Sequence, residues 1–270
     1  MSSLPTVRRR PEFDLSTVPR YWLDNDPFKT RLLDAMSLLF PDGERFFIRS
    51  VRHFRDQIED PSLQARVADF IYQEAQHGCQ HEQYNARLKA QGLPVDDMLA
   101  ELRSRLDSLW NQLGPLASLA LTCGAEHLTA VLGRSILTHP EYWAGAHPVM
   151  RDLFHWHAIE ELEHRDVAYD VLQTVAPGRY VHRTAHYAFM WAYFWRGAFR
   201  LQRMMLQAEG QWSPTLIWQY RKWLFGLQGV LTSAVPDMVH YFRPGYHPAH
   251  LRVPAGPYAE WSRRLAVHAA

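Results

Sequence analysis

The sequence predicts an all-α protein: a four-helix bundle with a crossover helix and additional aromatic-rich helices toward the C-terminus. Three observations carry this. Apolar residues recur at three- and four-residue spacing over long segments. Pro and Gly interrupt those segments at helix-length intervals, with Asp, Ser or Pro at several starts. Finally, Glu-x-x-His occurs twice, at Glu74–His77 and Glu161–His164, each after a lone Glu, Glu44 and Glu126. That order is the ligand set of bundles that hold two metal ions between their helices.

Residues 1–26 read as an N-terminal arm, and Arg8-Arg9-Arg10 within it as a solvated cluster. A first helix is expected from about Pro27 to Phe40, ended by Pro41-Asp42-Gly43, with a second from there to about Ile58. Asp60-Pro61 supplies an N-cap and a first-turn Pro for the next, which ends at Gly92. A charged amphipathic helix from about Asp96 to Leu113 is the crossover. Gly114-Pro115 opens the helix that carries Glu126, and Pro148 opens the one that carries the second Glu-x-x-His and runs to Pro177-Gly178. Residues 27–178 then form the bundle. Residues 179–235 are expected to add two aromatic-rich helices, Val181–Ala208 and Ser213–Ser233, and the Pro-rich residues 236–270 an irregular surface tail.

Composition narrows the function. The chain has 270 residues, 47% hydrophobic and 21% charged, enough for one sizeable core. A formal net charge of +1 gives no electrostatic case for nucleic acid. Two cysteines, Cys79 and Cys123, make neither a disulfide framework nor a zinc-finger spacing. No signal-peptide core and no uncharged run of membrane-spanning length is evident, so the expected location is cytoplasmic.

The motif gains weight from where its members fall. Phe40, Glu44, Phe47, Val51 and Phe54 share one helical stripe. Val67, Phe70, Glu74, His77, His81, Tyr84 and Leu88 share a second. Leu116, Leu119, Cys123, Glu126, Ala130, Gly133 and Leu137 share a third; Met150, Leu153, His157, Glu161, His164, Ala168 and Val171 a fourth. Each stripe is otherwise apolar or small and should face the core. Any one of these acids could instead face solvent or pair with an Arg. Four inward carboxylates, each costing several kcal/mol unless compensated, ask for a shared positive charge. Two divalent cations would supply it.

The expected metal ligands are therefore Glu44, Glu74, His77, Glu126, Glu161 and His164. His157, four residues before Glu161, is a seventh, and His81, four after His77, could ligate or hydrogen-bond a ligand. Glu160 and Glu163 read as solvated acids, with ligation the alternative. Tyr84, Asn85 and Asp170 are candidates to orient the ligands. Cys123 reads as a small buried thiol.

These stretches resemble known proteins. PDGERFF around Glu44, YQEAQHGCQHEQYN around Glu74, CGAEH around Glu126 and HWHAIEELEHRDVAYDV around Glu161 are similar to the ferritin-like di-metal carboxylate superfamily, and within it to the predicted metal-dependent hydrolases. The tail YFRPGYHPAH adds to the likeness. His157-x-x-x-Glu161-x-x-His164 also resembles the di-iron N-oxygenases of aryl amines, which implies a ligand role for His157.

Reading the chemistry from the ligand set rather than the family description, the sequence suggests O2-dependent oxidation of a small hydrophobic or aromatic substrate by a di-iron site. The Glu/His set suits Fe(II), Mn(II) or a mixed pair better than Zn. That reading implies an external electron donor. Hydrolysis of an ester, amide or phosphoester by two metals is the alternative, and iron storage a further one. Phe189, Trp191, Tyr193, Phe194, Trp195 and Phe199 could wall a substrate channel, pack against a second subunit, or, beside Arg196, Arg200 and Arg203, touch a membrane surface.

Overall fold

The computed structural model describes residues 4–269 and is all-α, with only two isolated β-bridges among the described residues. Helix α1 spans Pro27–His53 and α2 spans Pro61–Ala90. The Asp26 side chain accepts from Lys29 N at 3.0 Å and that of Asp60 from Ser62 N at 2.9 Å, so both starts are capped as their sequences predict. The short connection makes α1 and α2 an antiparallel pair. Helix α3 spans Val95–Thr138, with Gly114 at φ 75° breaking it into the crossover and the Glu126 segment at the expected place. Helix α4 is Pro148–His164 and α5 is Val167–Val175. Helices α1, α2, the second half of α3, and α4–α5 pack on one another, and α6, Tyr180–Ala208, lies against α1 and α3.

Five boundaries differ from expectation. Pro41 does not end α1, which runs through it. Proline leaves the carbonyl four residues earlier without its helical donor; that carbonyl is Ser37 O, and Asn85 Nδ2 on α2 donates to it at 3.3 Å. The expected long helix beyond Pro148 is divided at Arg165-Asp166, immediately after the second motif. Ser213–Ser233 forms two short helices, α7 (Leu216–Gln219) and α8 (Arg221–Phe225), because Gly226 turns the chain back and Val230 N bonds to Trp223 O at 2.9 Å. The tail is not an irregular surface segment: it contains α9, Val235–His240, and α10, Ala255–Leu265. Tyr241 and Tyr246 from it are buried against His127 and Tyr187. The N-terminal arm is not free either, since Arg10 N bonds to His268 O at 2.8 Å.

Two glycines set the helix spacing. A Cβ on Gly133 of α3 would meet Ala158 O of α4 at 3.0 Å, and one on Gly124 would meet Tyr187 Cα of α6 at 3.0 Å. By length and composition α3 could cross a membrane, but its most apolar window is 83% buried within the protein.

Candidate metal centre

The four inward stripes meet at one place. Glu44 comes from α1, Glu74 and His77 from α2, Glu126 from α3, and His157, Glu161 and His164 from α4; all seven are buried. Their ligand atoms fall into two groups. Those of Glu44, His77 and His157 lie within 4.8 Å of one another, as do those of Glu74, Glu161 and His164. Glu126 belongs with the second group, its Oε2 lying 3.3 Å from His164 Nε2.

Two carboxylates stand between the groups. Glu161 Oε1 is 3.0 Å from His157 Nε2 and 3.6 Å from His77 Nδ1, while Oε2 is 3.7 Å from His164 Nε2. Glu74 Oε1 is 3.0 Å from His164 Nε2 and 3.8 Å from His77 Nδ1. Each of these two carboxylates thus has one ligand group on either side.

Each imidazole turns one nitrogen inward while the other faces a polar neighbour outside the cluster. The hydrogen-bond pattern assigns the tautomers. Asn85 gives its amide N–H to Ser37 O, so its Oδ1 is the acceptor for the Ser37 hydroxyl at 3.1 Å. Ser37 Oγ is then left to accept from His81 Nδ1 at 2.9 Å, and His81 Nε2 accepts from His157 Nδ1 at 2.8 Å. His157 Nε2 is thereby left with its lone pair facing Glu161. The same logic fixes His164: Gln73 Nε2 donates to Val7 O and Glu163, so Gln73 Oε1 accepts from His164 Nδ1 at 2.9 Å. His77 Nε2 lies 3.2 Å from Glu160 Oε2, leaving Nδ1 toward the cluster.

His81 is thus a partner of a candidate ligand rather than a ligand itself, both of its nitrogens being engaged. Of the three residues expected to orient ligands, only Asn85 reaches one, through Ser37 and His81. Tyr84 instead donates to Asp34 at 2.6 Å, and Asp170 pairs with Arg66 and His247. Cys123 Sγ is buried and donates to Ala168 O at 3.2 Å.

The sequence reading missed Gln73, Ser37 and Arg9, and misplaced Glu160 and Glu163. Both acids are buried, not solvated, and Arg9 is buried with them rather than in a solvated cluster. Its guanidinium bonds to Glu163 at 2.8 and 3.0 Å and to Glu160 at 3.2 Å. Tyr258 of α10 adds a 3.0 Å bond to Glu163. A surplus of acids, four in the stretch from Glu160 to Asp166 counting Glu161 and Glu163, is the one local hint that a distant cation is required.

The residues fit a divalent metal. Both oxygens of Glu44, Glu74 and Glu126, together with Glu161 Oε2, His77 Nδ1 and His164 Nε2, have no hydrogen-bond partner although buried. Such atoms are costly singly, at about 1–3 kcal/mol each, and here they converge. Burial, reinforced by neighbouring carboxylates, pushes the pKa of Glu44 and Glu126 well above the usual carboxylate range. Burial also raises Glu74, although His164 opposes it. Burial acts against charge on His164 too, but Glu126, Glu161 and Glu74 outweigh it and hold its pKa well above the ordinary imidazole value. Burial and the neighbouring His157 hold His77 well below that value, in the neutral form a metal needs. The cluster therefore attracts positive charge and presents O and N donors to it.

An all-α chain with such a buried Glu/His cluster is, by fold and site, a candidate metalloprotein. Residues 7–251 match the family described as predicted metal-dependent hydrolase, and the chain belongs to that family. No curated protein and no solved structure matches it. The family description corrects the first functional reading of the sequence. It names hydrolysis, the alternative, and gives no support to O2-dependent oxidation or to the electron donor which that would require.

Proposed function

We propose that this chain is a two-metal hydrolase of a small-molecule ester, amide or phosphoester, with a ferritin-like bundle as its scaffold. The observation that carries the reading is the pair of ligand groups, Glu44/His77/His157 and Glu74/Glu161/His164, in a family described by metal-dependent hydrolysis. In this reading Glu126 completes the second group, and Glu161 and Glu74 lie between the two. Four carboxylates balance two divalent charges, so the loaded centre is neutral within its buried surroundings. When bound, the ions would supply a water of lowered pKa and stabilise the leaving atom.

The chain's own residues do the rest. His81 and Gln73 hold two of the imidazoles in orientation through their outer nitrogens, and Glu160 lies 3.2 Å from the outer nitrogen of the third, His77. Arg9 keeps Glu160 and Glu163 in place behind them. Phe40, Phe70 and Trp156 pack edge-on or tilted against the imidazole rings and cover them with apolar surface. Hydrolysis needs no redox-active ion, so Mn, Fe and Zn can all be tried.

The test is direct. The purified protein is analysed for metal, then assayed with chromogenic carboxylic esters, anilides and phosphoesters before and after chelation. One class should be turned over, the activity should vanish with chelator, and it should return with Mn(II) or Zn(II). Glu161→Ala and His77→Ala should each lower metal content. Failure of the fully loaded protein to hydrolyse any of the three classes would refute the reading.

A further inference from the structure

Two apolar cavities lie side by side, the first mainly among α1, α3 and α4 and the second among α1, α3 and α6. The first, of about 70 Å³, has Met36, Leu132, Phe154 and Trp195 in its wall, together with His157 and Glu161 of the candidate centre. The second, of about 80 Å³, is bounded by Phe46, Leu106, Leu128, Met190 and Phe194. Phe40 and Thr129 belong to both walls and so form the partition between them. The Phe40 ring rests 4.7 Å from that of His157 and meets His81 edge-on at 4.9 Å.

The chemistry of the first cavity is selective. Its wall contains no Lys or Arg, so away from the candidate centre itself it offers no positive charge to an anionic substrate. The Thr129 hydroxyl is engaged by Ala125 O at 3.1 Å, and that of Tyr142 by Gln228 O at 2.5 Å. Besides these, Ser135 and the indole N–H groups of Trp143, Trp195 and Trp223, the polar side chains of the wall are His157 and Glu161. An apolar pocket ending at one polar site binds a molecule with an apolar body and one polar end.

We propose that the first cavity takes the linear apolar acyl chain of a carboxylic ester or amide, with the scissile carbonyl at His157 and Glu161, and that Phe40 sets the chain length accepted. This rests on the hydrolase reading and narrows it. In the reaction, water adds to the acyl carbon and the bond from that carbon to the leaving oxygen or nitrogen breaks. The leaving atom takes a proton from the water, so no oxidant or reductant is consumed. A chain longer than the first cavity reaches the second past Phe40 and Thr129.

The test measures binding separately from turnover. Full-length protein loaded with Mn(II) is titrated calorimetrically with straight-chain carboxylic acids from butanoic to dodecanoic, the products of such a reaction. Affinity should rise about fourfold per methylene while the chain is being buried, then level off. Phe40→Ala should move that plateau to longer acids by joining the cavities. Phe40→Leu should move it less and guards against a misfolded Ala variant. Leu132→Trp, which fills the first cavity, should weaken binding of the longer acids at unchanged metal content. Affinity independent of chain length in the wild type would overturn the proposal, as would a plateau unmoved in both cooperatively folding Phe40 variants. If short soluble esters are hydrolysed but no chain dependence is found, this proposal fails alone. If the chain dependence is found but no ester or amide is hydrolysed, the acyl-binding cavity stands and the hydrolase reading fails.

Discussion

Arg9 shows how much a single side chain decides here. At 2% exposed it is among the most buried charged groups of the protein, and it is the cation shared by Glu160 and Glu163. Without it, two carboxylates nearly one helical turn apart would be buried with no opposing charge. Removing one partner of such an ion pair typically costs about 3–5 kcal/mol. Arg9→Met should therefore lower the unfolding free energy by that order, seen as a lower urea midpoint with little change in the slope. Adding Glu163→Gln should restore part of the loss, because the uncompensated charge is then gone. An unchanged midpoint in the single variant would mean that the arm does not stabilise the centre. This network was hidden in the sequence because Arg9 and Glu160 are 151 positions apart, a relation no local spacing reports. The burial of Glu44, Glu74, His77, Glu126, His157, Glu161 and His164 at one point was legible because the helical repeat puts each on the inward face of its own helix. Gln73 and Ser37 were not, since their roles depend on which nitrogen each imidazole turns outward.

At the scale of elements, the long helices and the start of the buried α4 at Pro148 were readable, whereas the short helices and the surroundings of each α4 side chain were not. Every residue of α4 from Leu153 to His164 is buried. A helix enclosed on all sides has no solvated face, so Glu160 and Glu163 could not be sorted by amphipathic pattern. Pro41 signals a stop in the sequence, but the Ser37 carbonyl it frees is satisfied from another helix, by Asn85, and α1 continues. The junction of α1 with the end of α6 gives a test that depends on pH. Arg31, fully buried on α1, bonds Glu209 through Nε at 2.9 Å. Burial would raise the Glu209 pKa, but the Arg31 hydrogen bonds outweigh it and leave the carboxyl below its ordinary value. A depressed folded-state value means that the unfolded chain binds more protons just below the ordinary carboxylate range. The pair's stabilisation is thus complete above that range and is lost as pH falls through the folded value. Glu209→Gln should cost about 1–3 kcal/mol near neutrality. The gap in Tm from the wild type should narrow on acidification. A gap that stays constant with pH would show that the Glu209 charge contributes nothing.

For the whole molecule, the two ends of the chain close over one side of the centre. Val7 donates to Glu163 and accepts from Gln73, Arg10 reaches His268, and Tyr258 of α10 donates to Glu163. Helices α1 to α4 each deliver at least one buried acid to the same point, so the four are coupled through it. In the unfolded chain those acids are far apart and solvated, and cannot form the same site. A metal that binds the folded form alone stabilises it by an amount set by its concentration relative to Kd. At a hundredfold excess over Kd this is about 2.7 kcal/mol, which for a chain of 270 residues corresponds to roughly 5 °C in Tm. Chelation followed by desalting should lower Tm by that order, and re-addition of Mn(II) should restore it. In Glu161→Ala the same treatment should shift Tm much less, because the carboxylate that stands between both groups is gone. Equal shifts in wild type and variant would place the stabilising metal somewhere other than this cluster.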